Sequence, residues 1–227
     1  MKKVFLFFTL LITVSSFSQT VPDFEAVDSL YREDQFYLGV TYNILNNKPT
    51  EVSQNSFSAG LNFGFLRDFP INKKRTVAIA PGLGFTYNNY KSNVVVSKVD
   101  GQMNYATMPT PDFDKNKLAL YFVDVPIEFR WRTSTYDSHK FWRIYTGIKM
   151  SYLLASKSKF VSSTESFKVS NNPDLNKFHY GAYVSAGYNT FNVYAYYGFQ
   201  DIFKDVNLNG KPLHLSTVNI GLMFYML

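Results

Sequence analysis

Hydrophobicity along this chain repeats every two residues, and no long stretch carries the 3.6-residue period of a helix. Phe57, Ala59, Leu61, Phe63 and Phe65 oppose Ser58, Gly60, Asn62 and Gly64. Val123, Val125, Ile127, Phe129 and Trp131 oppose Phe122, Asp124, Glu128 and Arg130. Tyr180, Ala182, Val184, Ala186 and Tyr188 oppose Gly181, Tyr183, Ser185 and Gly187. Similar segments begin near Phe36, Val77, Trp142, Phe191 and Thr217. That gives about eight strands of roughly ten residues, the length a tilted strand needs to cross a bilayer.

Alternation alone does not separate a soluble barrel from a membrane barrel, because the two invert inside and outside. The content of the polar parity separates them. A soluble surface would be studded with Lys and Glu. Here that parity holds Gly, Ser, Ala, Thr, Asn and Tyr, which suit the crowded interior of a narrow barrel. The opposite parity is uncharged and holds both tryptophans, Trp131 and Trp142. The expectation is an all-β, closed, antiparallel transmembrane β-barrel of about eight strands with up-and-down topology. Leu61, Phe63, Ile79, Leu83, Ile127, Ile148, Val184, Val193 and Ile220 should face lipid. Trp131 and Trp142 should form an interfacial girdle as near cross-strand neighbours.

The connections alternate in length. Residues 67–75, 132–140 and 189–190 are the short set; residues 88–117 and 157–176 are long and polar; 45–54 and 204–212 are intermediate. Short turns at one end and longer loops at the other are the outer-membrane layout, with both termini and the short turns in the periplasm.

The first residues fit export. Met1-Lys2-Lys3, an apolar run to Val14 and Ser15-Ser16-Phe17-Ser18-Gln19 read as a signal peptide over 1–18. Residues 19–34 read as an N-terminal periplasmic extension and 35–227 as the barrel domain. Without Lys2 and Lys3 the formal charge falls from +6 to +4, which is no nucleic-acid footprint. Zero Cys among 227 residues excludes disulfides, thiolate metal sites and lipid attachment at a mature N-terminal cysteine.

Five charged residues carry inward parity: Asp124, Glu128, Arg130, Arg143 and Lys149. If Trp131 pairs with Trp142, Arg130 faces Arg143, Asp124 faces Lys149, and Glu128 lies diagonal to both arginines. Unpaired charges in a narrow lumen are costly, so one paired network is expected. It reads either as a plug that fills the barrel or as a selectivity ring or binding site; the plug is favoured, because eight strands leave room for side chains only.

Nothing else carries chemistry. His139, His179 and His214 lack ligand spacing, so no metal and no cofactor are expected. Pro81-Gly82-Leu83-Gly84 lies within a strand and is no phosphate loop. Asp112 and Asp114 form a lone pair in a long loop, and no serine sits in a nucleophile elbow. The chain reads as non-enzymatic.

Several stretches resemble the PorT/SprT family of outer-membrane proteins. They are Tyr31-Arg32-Glu33-Asp34-Gln35-Phe36-Tyr37 with Gly39-Val40-Thr41-Tyr42-Asn43, Arg67-Asp68-Phe69-Pro70-Ile71-Asn72, and Val125-Pro126-Ile127-Glu128-Phe129-Arg130-Trp131-Arg132-Thr133-Ser134-Thr135. Phe141-Trp142-Arg143-Ile144-Tyr145-Thr146-Gly147, Ser185-Ala186-Gly187-Tyr188-Asn189-Thr190 and the C-terminal Ile220–Leu227 stretch continue the likeness. In that last stretch, Asn219, Gly221 and Phe224 suit an outer-membrane assembly signal, with Met226 where an aromatic is usual. The resemblance implies an integral outer-membrane barrel that supports type IX protein secretion, and gliding motility where present. Its partners would be outer-membrane lipid and other secretion proteins of the envelope. A small porin-like barrel with another partner or a solute role, and a soluble ligand carrier, are the competing readings. Candidate docking surfaces are residues 19–34, the basic turn Asn72-Lys73-Lys74-Arg75 and the long loops.

Overall fold

The computed structural model describes residues 31–54, 56–109, 112–135 and 141–226. The expected signal peptide, most of the N-terminal extension and His139 lie outside the described residues. Among the described residues fourteen strands run in chain order: β1 (Gln35–Asn46), β2 (Ala59–Leu66), β3 (Phe69–Pro70), β4 (Val77–Tyr90), β5 (Val94–Val99), β6 (Gln102–Thr107), β7 (Lys115–Arg132), β8 (Trp142–Val161), β9 (Ser166–Ser170), β10 (Phe178–Tyr188), β11 (Phe191–Gly198), β12 (Asn207–Leu208), β13 (Lys211–Pro212) and β14 (Ser216–Met226).

Eight of them form a ring. Antiparallel pairing runs β1–β2–β4–β7–β8–β10–β11–β14, and β14 returns to β1 from Phe36↔Met226 to Asn46↔Ser216. Every barrel strand therefore has two hydrogen-bonded neighbours, the condition for strands to cross hydrocarbon without orphaned backbone groups. Strands β3 and β9 add to the edges of β4 and β8.

The expected parity holds. All nine residues assigned to lipid are exposed, from 42% at Ile79 to 65% at Leu83. The inner parity is buried: Ala78 and Ala80 on β4, Tyr183 and Ser185 on β10, and Tyr194 and Tyr196 on β11. Aromatic pairs ring the outer face at both ends. Tyr42–Phe57, Tyr87–Tyr121 and Tyr152–Phe178 mark the long-loop end. Phe36–Phe65, Trp142–Tyr188 and Phe191–Phe224 mark the short-turn end.

The structure corrects the loops. β7 starts at Lys115 and β8 runs on to Val161, so the paired sheet continues past the outer aromatic ring into segments expected to be polar loop. A bulge at Tyr121/Phe122 marks where that extension begins. Two tight hairpins decorate it. Asp100 and Gly101 join β5 to β6, and Asn209 and Gly210 join β12 to β13, with φ of 48°, 84°, 51° and 79°. Two successive positive φ values are the mark of the hairpin turn whose twist matches its strands, and Asp-Gly and Asn-Gly adopt it most readily. The loops then bury their own apolar core, with Val94, Val96, Leu175, Ile202, Phe203 and Leu213 packed over Leu120, Phe122 and Leu153 at the barrel rim. The long-loop end is thus capped by packed side chains.

Candidate functional site

Small residues opposite large ones fill the barrel interior. Gly84 and Gly64 leave room for the Tyr37 side chain: a Cβ at Gly84 would collide with the Tyr37 hydroxyl, and one at Gly64 would lie 2.6 Å from it. Tyr37, Tyr145, Tyr183, Tyr194, Tyr196 and Tyr225 then pack with Leu66 and Met223 through the middle of the lumen. The voids between these side chains measure about 20 Å³, room for a single water.

All five charges expected in the lumen are buried there, and three more join them. The buried ionic groups among the described residues are Glu33, Asp68, Asp124, Glu128, Arg130, Arg132, Arg143 and Lys149. Four anions match four cations, which removes the excess positive charge that the five alone would carry.

The β7–β8 register differs from the expected one by two residues. Trp131 pairs with Ile144, and the ladder continues one pair further: Thr133 N donates to Trp142 O at 3.0 Å. Arg130 therefore faces Tyr145, Arg132 faces Arg143, Glu128 faces Gly147, and Asp124 faces Ser151. A shift of two keeps parity, so every side chain stays on its expected face. Trp131 and Trp142 are both exposed on the outer face at the short-turn end, but diagonal to each other, and Trp142 packs against Tyr188 with ring centroids 5.3 Å apart.

The charges fall into two clusters rather than the one network expected. The first sits at mid-barrel. Asp124 accepts from Ser151 Oγ at 2.6 Å and from the Thr86 hydroxyl, and Lys149 Nζ lies 3.9 Å from its carboxylate. The same ammonium reaches Asn62 Oδ1 at 3.4 Å and lies 4.6 Å from the Tyr196 ring centroid. The expected Asp124–Lys149 contact is thus present, formed diagonally.

The second cluster closes the short-turn end. Arg132 donates to both oxygens of Asp68 at 2.7 Å, a two-point pair. Arg130 bridges Asp68 Oδ1 at 3.0 Å and Glu128 Oε2 at 2.9 Å, and donates to the Glu33 carbonyl at 2.9 Å. Tyr225 completes Glu128 with a hydrogen bond of 3.0 Å. The backbone is tied in as well: Asp68 N donates to Asp34 Oδ1 at 2.8 Å, and Arg75 Nη1 donates to the Tyr31 carbonyl at 2.9 Å. The residues just before β1 are thereby fastened across the barrel mouth.

Glu128 does not sit between two arginines as expected, because the register carries Arg143 away from it. Arg143 instead stacks on Phe141, Tyr145 and Tyr225, with its guanidinium carbon 4.5, 5.6 and 5.5 Å from the ring centroids. Asp68 lies in the turn outside the barrel strands. Burial alone would raise its pKa, but the hydrogen bonds and charge of Arg132, joined by Arg130, hold it below the usual carboxylate value. Sequence reasoning missed Asp68 and Glu33 because both lie outside the alternating segments.

The proposed assembly-signal residues all lie on β14, the strand that closes the ring. Asn219 is buried and accepts from Thr217 Oγ1 at 2.6 Å; a Cβ on Gly221 would strike the Val40 carbonyl; Phe224 packs on Phe191 at 5.1 Å. Among the described residues no group of three His, Cys, Asp or Glu could hold a metal ion.

Residues 17–204 match the family described as "Outer membrane protein beta-barrel domain". Among solved structures the chain is similar to Ail, the attachment invasion locus protein of Yersinia pestis, at 13% identity over 87% of this chain and 100% of that one, with a TM-score of 0.42. The same protein in complex with the heparin analogue sucrose octasulfate gives 13%, the same coverage and a TM-score of 0.39. A mutant porin of Rhodopseudomonas blastica gives 8% identity over 86% of this chain and 100% of that one, at 0.23. The search of curated proteins found no match. The family match spans most of the chain, agrees with the closed ring of outward-apolar strands, and gives the conclusion that this chain belongs to the outer membrane protein beta-barrel domain family and resides in the outer membrane.

Proposed function

We propose that this barrel is a non-enzymatic support of the type IX protein secretion system, with both termini and the short turns in the periplasm. Its outward role is to present a rigid closed end to envelope components of that machinery, and in gliding bacteria to serve delivery of motility adhesins.

The observation that carries this reading is where the PorT/SprT-like stretches meet. The stretch from Tyr31 supplies Glu33, the one from Arg67 supplies Asp68, and the one from Val125 supplies Glu128, Arg130 and Arg132. The stretch from Phe141 supplies Arg143 and Tyr145, and the C-terminal one supplies Tyr225. Stretches far apart in sequence thus build one ionic floor rather than scattered features. A filled lumen supports a scaffold over a solute pore. What supports the periplasmic orientation is that the short turns and both barrel termini share one end, the usual outer-membrane layout.

Deleting the gene in its own host should leave type IX cargo trapped inside the cell, with complementation restoring it. Normal secretion by the deletion strain refutes the reading. Steady conductance of the purified barrel in planar bilayers would favour the porin-like alternative.

A further inference from the structure

The extended part of the sheet carries a charge pattern that no ion pair among the described residues neutralises. Lys117 pairs directly with Lys159, and Lys159 with Lys168, so three lysines stand side by side across β7, β8 and β9. Lys115 and Lys157 lie two residues along on the same face. Like charges directly opposite each other destabilise a sheet. Yet none of these five makes an ion pair among the described residues, and neither do Asp114 and Glu165 at the strand ends.

The face is continuous with the lipid-facing surface. Lys117 shares its parity with Tyr121, whose ring packs on Tyr87 in the outer aromatic girdle. Four residues along the strand amount to about 13 Å, or about 10 Å along the membrane normal at the usual barrel tilt. The side chain turns back over that distance: Lys117 Nζ lies 5.4 Å from the Tyr87 ring centroid, which brings the ammonium to girdle height. Beside it, a groove of about 490 Å³ opens at the start of β2, where β4 and β7 extend past it. Lys91, Lys115 and Lys117 line it together with one anion, Asp114, the rings of Phe57 and Phe113, and serine and asparagine side chains. Three cations against one anion in a polar groove at headgroup height, beside the apolar outer face of the barrel, complement an amphiphile that carries phosphate over acyl chains.

We propose that this lysine face binds the phosphate groups of the phosphorylated glycolipid that forms the outer leaflet of the membrane. The proposal rests on the orientation given above, which puts the long-loop end outside. A lipid fits better than an acidic protein partner, because the charges begin at the girdle and the groove opens onto the lipid-facing band.

The test uses the purified full-length barrel in micelles doped with lipid A or with its dephosphorylated form, and native mass spectrometry reads the lipid retained. Wild type should retain lipid A, and high salt should release it. The triple variant Lys117→Gln, Lys159→Gln, Lys168→Gln should lose roughly tenfold in retention, the equivalent of about 1.4 kcal/mol. The matching triple Lys→Arg variant should keep it, and a heat-modifiable gel shift reports that both variants fold. Equal retention of the dephosphorylated lipid, or retention unchanged in the Gln variant, overturns the proposal. Orientation is read separately: the chain has no cysteine, so Lys157→Cys gives one thiol for a membrane-impermeant maleimide on whole cells. Labelling supports the outer-leaflet source. Absence of labelling with lipid A retention intact refutes the orientation and overturns that source.

Discussion

Asp68 is the residue whose loss should damage the closed end most. It is fully buried and takes three charged hydrogen bonds, two from Arg132 and one from Arg130. In Asp68→Ala, Arg130 retains Glu128 and the Glu33 carbonyl, whereas among the described residues the one hydrogen bond left to Arg132 is from its Nε to the Arg75 carbonyl at 3.0 Å. Stranding one partner of a buried pair costs about 3–5 kcal/mol. At roughly 2–4 °C per kcal/mol for a domain of this size, the melting midpoint should fall by about 10 °C. The assay is the heat-modifiable gel shift against temperature in one detergent. Asp68→Asn keeps the shape and loses the charge, so it should recover only part of the drop. A midpoint for Asp68→Ala within error of the exposed control Lys73→Ala would refute the argument, because it would mean Arg132 loses nothing when its anion goes.

Three further outcomes follow. Asp68 has its pKa lowered by Arg132 and Arg130, so the unfolded chain binds the proton more readily; the stabilisation is complete above about pH 5 and is lost as pH falls through the usual carboxylate value and below. Gel-shift midpoints measured down to about pH 3 should therefore fall in wild type and stay flatter in Asp68→Asn, and parallel curves would contradict this. Glu128→Ala removes a salt bridge of 2.9 Å and leaves the Tyr225 hydroxyl without its acceptor, so it should melt about 2–3 kcal/mol less stable, well below Lys73→Ala or Lys74→Ala, and equal melting would remove the case for the ionic floor. Trp131 and Trp142 fluorescence should be quenched most by lipids brominated near the headgroup; quenching strongest at the bilayer centre would contradict their place in the girdle.

The barrel was legible because parity encodes it. Each outward Phe, Ile or Val is separated from the next by one small or polar residue, and the small residues tell which face is crowded. What parity cannot encode is structure outside the ring. The buried cap draws on Val94, Val96, Leu175, Ile202 and Leu213, which are scattered over three connections with no common period. Their cohesion comes from tertiary packing, worth about 1.5–3 kcal/mol for each large apolar side chain buried. Two local signals were nevertheless in plain view: Asp100-Gly101 and Asn209-Gly210, the dipeptides that favour tight hairpins, stand beside residues able to pair.

The ionic floor was half legible for a related reason. Inward parity on β7 and β8 identifies Arg130, Arg143, Glu128, Asp124 and Lys149, because a strand fixes which way its side chains point. It does not identify their partners when these come from turns. Asp68 follows Arg67 in a short connection that reads as solvated, and only the path of that turn across the barrel mouth brings its carboxylate within 2.7 Å of Arg132. Charge balance held the clue. Five lumen residues left one cation in excess, Arg132 with the inward parity of Arg130 makes it two, and a lumen this dry does not tolerate two unmatched positive charges. At least two more anions had to approach from segments outside the strands. Asp68 meets that requirement through its ion pairs and Glu33 through its buried carboxylate, while the Glu33 backbone binds Asp68 and Arg130, so the groups that neutralise the lumen also fasten the entry segment of β1 and the first short turn across its end.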